Sequence, residues 1–417
     1  MRRYLLLVLI SVTSLRLAAA TAVVREVDPC LTLRASPKTN AASVACLPSG
    51  TRVKLVASAP YWRQVDVNGK RGWAAKKFLQ EEPTGEATTA TDERWLEVHF
   101  ADAGQGDGIW IHTPDDGVAN GRFEGKNILI DGGPDAKAPQ NAFLAYLQEF
   151  AHRDAVIDAL FISHPHDDHY PGADGILRNF DVRTIYEAGF PKEGPKYAAF
   201  LNLAKSEPGA DLRFGRESFG SLEWGAELDA AILYGYPGAS EGLGRDSTLE
   251  NNASIVLRLQ YGDHTFLFMG DAEGKERDDD PSDDAQFVER VLLRDVPASR
   301  LKATVLKIAH HGSETSSTNQ FIRAVDPEIV VVSSGRRPYS GTFLPRPSTL
   351  KRYCCHNPAI RIYRTDQDDE IEGRTARDDA DADHVIIRTN GKTLQVIAHS
   401  NGEPISMDRC DPECDVP

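Results

Sequence analysis

Three histidines and an aspartate crowd into the end of one apolar run. Leu160-Phe161-Ile162 leads into Ser163-His164-Pro165-His166-Asp167-Asp168-His169, an H-x-H-x-D-H pattern. Imidazoles and a carboxylate packed onto a strand-end loop are costly to bury unpaired, and a divalent cation removes that cost by turning them into ligands. A single ion could use two of the histidines. Four donors point to two ions, with His164 and His166 aimed at the first and Asp168 and His169 at the second. A two-metal centre also needs a bridging carboxylate and donors from elsewhere in the fold. Asp271 supplies the first by ending Thr265-Phe266-Leu267-Phe268-Met269-Gly270, and His310-His311-Gly312 ends a second apolar run at Val305-Leu306-Lys307-Ile308. Alternation with Leu306 and Ile308 puts His310 on the inward face and favours it over His311 as the ligand. The chemistry of such a centre is hydrolysis by a metal-activated water, with Zn²⁺ or Mn²⁺ lowering the water's pKa and Asp168 or Asp271 accepting a proton. His99, His112, His152, His356, His384 and His399 show no ligand spacing and read as ordinary strand or surface residues.

The elements that must position this centre begin at Trp95-Leu96-Glu97-Val98-His99-Phe100, an alternating strand, and strand-like and helix-like segments interleave from there to about Ser400. The chain has 417 residues, enough for two or more domains, and its glycine and proline usage fits a loop-rich α/β or β protein. Before Trp95, Arg2 and Arg3 precede a short apolar core and then Ala18-Ala19-Ala20-Thr21-Ala22, the order of a secretory signal peptide cleaved after Ala20 or Ala22. No later segment is apolar enough to span a bilayer. Export to the periplasm or medium agrees with six cysteines: Cys30 with Cys46 would close one small loop, and Cys354 and Cys355 would join Cys410 and Cys414 in one of two arrangements. Residues 21–80 carry +7 and residues 1–20 carry +3, so the rest holds −25 of a net −15. Such a domain lacks the broad positive surface of a tight, nonspecific DNA binder, although a bound metal can offset this locally. The acidic stretches 278–284 and 366–383 lack EF-hand spacing and read as solvated loops.

Residues 23–80 read as short strands broken by turns, with Asn68-Gly69 as the strongest hairpin signal. Leu31-Thr32-Leu33-Arg34, Pro48-Ser49-Gly50, Trp62-Arg63-Gln64-Val65 and Asn68-Gly69-Lys70-Arg71-Gly72-Trp73 together resemble the bacterial SH3-like family. The resemblance implies a small β-barrel and a cell-wall ligand, for which Tyr61, Trp62 and Trp73 are the aromatic candidates, though a barrel this small needs its large side chains for its core. Residues 81–94 have no apolar periodicity and form a linker. The remaining segments are residues 95–400, the hydrolase domain, and 401–417, a cysteine-containing tail.

Residues 95–398 resemble the metallo-β-lactamase superfamily, and more narrowly the hydrolase domain attached to the ComEC competence channel. The motifs are Asp102-Ala103-Gly104-Gln105-Gly106-Asp107, Ile130-Asp131-Gly132-Gly133, the H-x-H-x-D-H loop, Asn251-Asn252-Ala253-Ser254, Gly270-Asp271, His310-His311-Gly312-Ser313, and Tyr363-Arg364-Thr365-Asp366. The resemblance implies an α/β (α+β) fold of αβ/βα four-layer form with two divalent ions at one sheet edge. His164, His166, Asp168, His169, Asp271 and His310 would be the ligands, while Asp131 would support the metal loop and Asp102, Asp107, Asn252 and His311 would lie close by. Two departures stand out. Between the loop and Asp271 there is only His264, in a hairpin turn, where the superfamily places a third histidine, which leaves the first metal an open and weaker site. No histidine stands near Gly341-Thr342-Phe343-Leu344-Pro345, where ComEC-like chains have Gly-His-Pro.

The resulting expectation is an exported metal-dependent hydrolase of phosphodiesters, DNA or a nucleotide, with Lys307, Arg336 and Arg337 as phosphate contacts. Its rivals are a lactone, ester or amide hydrolase of the same fold, and a noncatalytic wall-binding protein.

Overall fold

The computed structural model describes residues 21–25, 29–38, 41–58, 62–82, 94–115, 125–134, 142–151, 156–215, 218–238, 242–335, 342–366 and 383–400, with short strand pieces at 371–372, 375–376 and 403–404. The signal sequence, most of the 81–94 linker, Arg336, Arg337, Cys410, Cys414 and most of the 366–383 stretch lie outside the described residues. The chain divides into two compact units, Met1–Thr91 and Asp92–Pro417.

In the first unit, Thr21–Val24 and Leu31–Arg34 bury every second residue, as a strand with one face on a core must. Among the described residues seven strands pair in the order Ser43–Leu47, Leu31–Arg34, Lys70–Ala75, Trp62–Val67, Arg52–Ser58, Thr21–Val24, Leu79–Glu82. Thr21 faces Glu82 across the last pair, so the sheet takes in residues on both sides of the expected 23–80 span. Asn68 and Gly69 sit at φ 51° and 81°, the left-handed pair that matches a two-residue turn to strand twist. Trp62 is buried, Trp73 is half-buried, and Tyr61 lies outside the described residues. Cys30 is bonded to Cys46. Cys354 and Cys355 of the second unit are also disulfide-bonded.

The second unit is built on two sheets. One runs Asp211–Phe214, Thr184–Glu187, Ala159–Ile162, Asn127–Ile130, Ile109–Asp115, Trp95–Phe100, His384–Thr389, Leu394–Ser400, Glu403–Pro404. The other runs Gly220–Leu222, Leu228–Tyr234, Val256–Tyr261, His264–Phe268, Val305–Lys307, Ile329–Val332, Arg361–Arg364. Asn127–Ile130 through Asp211–Phe214 are mutually parallel, as are His264–Phe268 through Arg361–Arg364. Inner parallel strands are covered on both faces, which is why Ala159–Ile162 and Ile329–Val332 are unbroken apolar runs with every residue buried. Phe100, Phe161, Phe266, Phe268 and Val305 fill the space between the sheets, at about 1.5–3 kcal/mol for each large side chain fully buried. Helices Ala142–Phe150, Ala173–Asn179 and Pro195–Ser206 cover the outer face of the first sheet, while Phe287–Asp295, Asn319–Val325 and Pro347–His356 cover that of the second. The result is the four-layer αβ/βα sandwich. Among the described residues no helix is long and apolar enough to cross a membrane.

Candidate metal centre

Parallel strands deliver their C-terminal ends to one edge, and there the two sheets bring their polar residues together. Ala159–Ile162 runs into Ser163 and His164, His264–Phe268 into Gly270 and Asp271, and Val305–Lys307 into the turn Ala309–Gly312. A backbone bond from Ile255 N to Ser163 O at 2.9 Å ties the sheets at this point.

Asp168, His169, Asp271 and His311 present donor atoms to a common point. His169 Nε2 lies 3.2 Å from His311 Nε2 and 3.3 Å from Asp271 Oδ2, and His311 Nε2 lies 3.4 Å from both Asp271 Oδ2 and Asp168 Oδ2. These four separations match the edges of a tetrahedron whose arms are about 2.0–2.1 Å, the usual metal–nitrogen and metal–oxygen lengths, while Asp168 Oδ1 stands farther from His169 Nε2, at 3.8 Å. The far side of each ring is already engaged: His169 Nδ1 is 2.8 Å from Asp131 Oδ2, and His311 Nδ1 is 2.7 Å from the Ser333 carbonyl oxygen. With Nδ1–H given to those acceptors, each Nε2 is left to face the cluster. Burial alone would depress both rings, but the carboxylates outweigh it. Asp271, Asp131 and Asp168 hold His169 well above the usual imidazole range, and Asp271 and Asp168 raise His311 to about 10. Two protonated rings would set Nε2–H groups against each other at 3.2 Å. A divalent ion meets the same demand for positive charge without that conflict, so the donor set fits a metal.

The second group is His164, His166 and Asp271. His164 is fully buried, its Nε2 makes no hydrogen bond and lies 3.8 Å from Asp271 Oδ2, and burial together with His169 pushes it well below the usual range. Asp271 Oδ1 is likewise buried without a hydrogen-bond partner. Asp271 therefore stands between the two groups, as a bridge must. Burial would raise the Asp168 and Asp271 carboxyls, yet the neighbouring histidines more than offset it and hold both below the usual carboxylate range.

The supporting residues are equally specific. Asp131, at φ 59°, accepts from Ser163 N at 2.7 Å through Oδ1 and from Ser163 Oγ at 2.7 Å through Oδ2, the oxygen that also meets His169. Asp107 is fully buried, forms an ion pair with Lys307, and lies 3.6 Å from His311 Nδ1. Asp102 Oδ1 accepts from Gly104 N, and its own N–H donates to His384 Nδ1. Asn252 is a brace, donating to the Leu243 carbonyl and accepting from Glu273 N.

Two expectations need correction. His310 is not the residue that joins Asp168 and His169. The strand ends at Lys307, and both His310 and His311 take left-handed backbone angles in the following turn, so strand alternation does not reach them. His310 Nδ1 turns to Glu273 Oε1 at 3.1 Å and its Nε2 stays 3.9 Å from Asp271, whereas His311 enters the cluster. Lys307 is no phosphate contact, because it is buried on Asp107 and the Gly270 carbonyl. Three neighbours escaped the sequence reading. Glu250 Oε2 sits 2.9 Å from His166 Nε2, Lys192 Nζ sits 2.8 Å from the same oxygen, and Glu273 holds His310. Only Glu250 had a local signal, its position directly before Asn251-Asn252.

Residues 31–80 match the bacterial SH3 domain. Curated relatives include ComE operon protein 3 of Bacillus subtilis (strain 168), 28% identical over 67% of this chain and 33% of its own length. Competence protein ComA of Neisseria gonorrhoeae is 28% identical over 72% of this chain and 35% of its own, and Recombination protein 2 of Haemophilus influenzae is 25% identical over 57% and 25%. The chain thus spans between a quarter and about a third of the length of these relatives. Residues 122–336, from before Asp131 to just past Ser333, match the metallo-beta-lactamase superfamily over just more than half the chain, and the chain belongs to that superfamily.

Proposed function

We propose that this chain is an exported, metal-dependent phosphodiesterase that uses two divalent ions, Zn²⁺ or Mn²⁺. The observation that carries the reading is the convergence of His169 Nε2, His311 Nε2, Asp168 and Asp271 at tetrahedral separations beside His164 and His166. Ions held there would supply an acidified water and positive charge against the developing oxyanion. The neighbouring histidines hold Asp168 and Asp271 below the usual carboxylate range, so both offer charged oxygens to an ion. Asp131 and Ser333 hold the two rings in one tautomer, and Lys307 neutralises Asp107 so that the pocket's negative charge is left to the ligands. Phosphodiester chemistry is favoured by the relatives' names, which speak of competence and recombination. The bacterial SH3 match supports a cell-wall ligand for the first unit. We read the organisation as leader 1–22, SH3-like domain 23–80, linker 81–94, hydrolase domain 95–400 and a tail.

The test is hydrolysis of bis-p-nitrophenyl phosphate and single-stranded DNA beside a lactone and a β-lactam, with and without added Mn²⁺ or Zn²⁺. Metal-dependent cleavage of the phosphodiesters, abolished in Asp168→Ala, is expected. Cleavage of the lactone or β-lactam alone would favour the same-fold rival, and no cleavage of anything would favour a wall-binding protein.

A further inference from the structure

The first metal position has two histidines where a closed site wants three or four protein donors. No histidine fills the gap. The short helix Asp246–Asn251 brings its penultimate residue, Glu250, to His166. The Glu250 carboxylate is half-buried, with Oε2 at 2.9 Å from Nε2 of His166, a residue that groups with His164 and Asp271. Lys192 Nζ meets that oxygen at 2.8 Å, carried in by the segment that follows the strand Thr184–Glu187.

We infer that Glu250 is the third protein ligand of the first metal and that Lys192 is the counter-ion it exchanges for that metal; this rests on the metal-dependent reading above. A surface ion pair with Lys192 would not require His166, yet Glu250 Oε2 meets both. The donor set then becomes two imidazoles and two carboxylates, Glu250 and the bridging Asp271. Exchanging a nitrogen donor for an oxygen one moves the site away from Zn²⁺ and toward harder ions such as Mn²⁺. Lys192 competes for Glu250, so occupancy of the first position is set by a lysine that leaves as the ion arrives.

The test uses the full chain stripped with chelator, titrated separately with Mn²⁺ and Zn²⁺, with ions counted per chain after gel filtration and affinity read by chelator competition. Wild type is expected to hold two ions. Glu250→Gln and Glu250→Ala should retain one, with the weaker-bound ion's affinity reduced at least about tenfold, as loss of even an outer partner costs. Glu250→His should again hold two ions while reversing the preference from Mn²⁺ toward Zn²⁺, which a misfolded variant cannot do. Lys192→Met should bind the first ion at least as tightly as wild type. Two ions at wild-type affinity in both Glu250→Gln and Glu250→Ala would overturn the ligand assignment alone, as would a wild type holding a single ion that these variants also hold. Weaker binding in Lys192→Met would overturn the exchange. A wild type that holds no ion would sink this inference together with the reading beneath it.

Discussion

Asp131 shows how much one carboxylate can govern without touching a metal. Its two oxygens take three bonds, from Ser163 N, Ser163 Oγ and His169 Nδ1. An amide in its place would turn an N–H₂ group toward at least one donor, freeing the His169 ring and the start of the ligand loop together. Asp131→Asn is expected to weaken metal binding about 10–100-fold, read by chelator competition, with the rest of the fold intact. At this scale the sequence was informative where ligands are close in the chain. His164, His166, Asp168 and His169 share one loop, and Asp271 ends a strand. His311 was placed second to His310 because the choice between adjacent histidines rested on strand periodicity that stops at Lys307. Lys307 was misjudged because a lysine in an apolar run gives no sign of its partner 200 residues away.

At the scale of elements, the loop from Asp102 to Asp107 packs against the metal loop at Gly106, and two of its contacts can be tested. A Cβ on Gly106, at φ +141°, would come within 2.0 Å of the Asp168 carbonyl oxygen. Gly106→Ala should therefore cost about 3 kcal/mol or more by urea midpoint and lose metal at the same time. The other contact is His384, whose Nδ1 accepts the Asp102 N–H while the ring packs against Tyr146. Accepting requires a neutral nitrogen, and burial, with the nearby His99, pushes His384 down to about 3. The native state thus binds fewer protons than the unfolded chain between that value and the ordinary imidazole pKa of about 6.5. Stability from this contact is complete above about pH 6.5 and is lost as pH falls toward 3. Urea midpoints at pH 7 and 5 should therefore fall more steeply for wild type than for His384→Phe. Strand and helix order was legible because inner parallel strands must be apolar throughout. The role of His384 was not, since its partner belongs to a loop 282 residues earlier.

For the whole molecule, the N-terminal strand separates the two cleavage points of the proposed leader. Ala22 is fully buried, and Thr21 and Ala22 pair with Lys54 and Val53 on one side and Glu82 and Glu81 on the other. Cleavage after Ala20 keeps this strand whole, whereas cleavage after Ala22 removes half of it. Intact-mass measurement should find Thr21 as the first residue, and alkylation should find thiols only after reduction, since no described cysteine is free. A mass beginning at Val23 would show that the barrel folds without its first two residues. The division into a small β unit and a larger α/β unit was readable from the change in charge and periodicity.

The ligands are split between two sheets: His164, His166, Asp168 and His169 follow a strand of the first, while Asp271 and His311 follow strands of the second. Neither sheet alone offers the tetrahedral set, so the complete ion site exists only once both sheets have folded. A chain threaded unfolded through a membrane would arrive on the far side empty-handed. Its cargo would then be settled by the ions in supply where folding finishes, and the affinity ranking that favours copper and zinc inside a cell would have no chance to act.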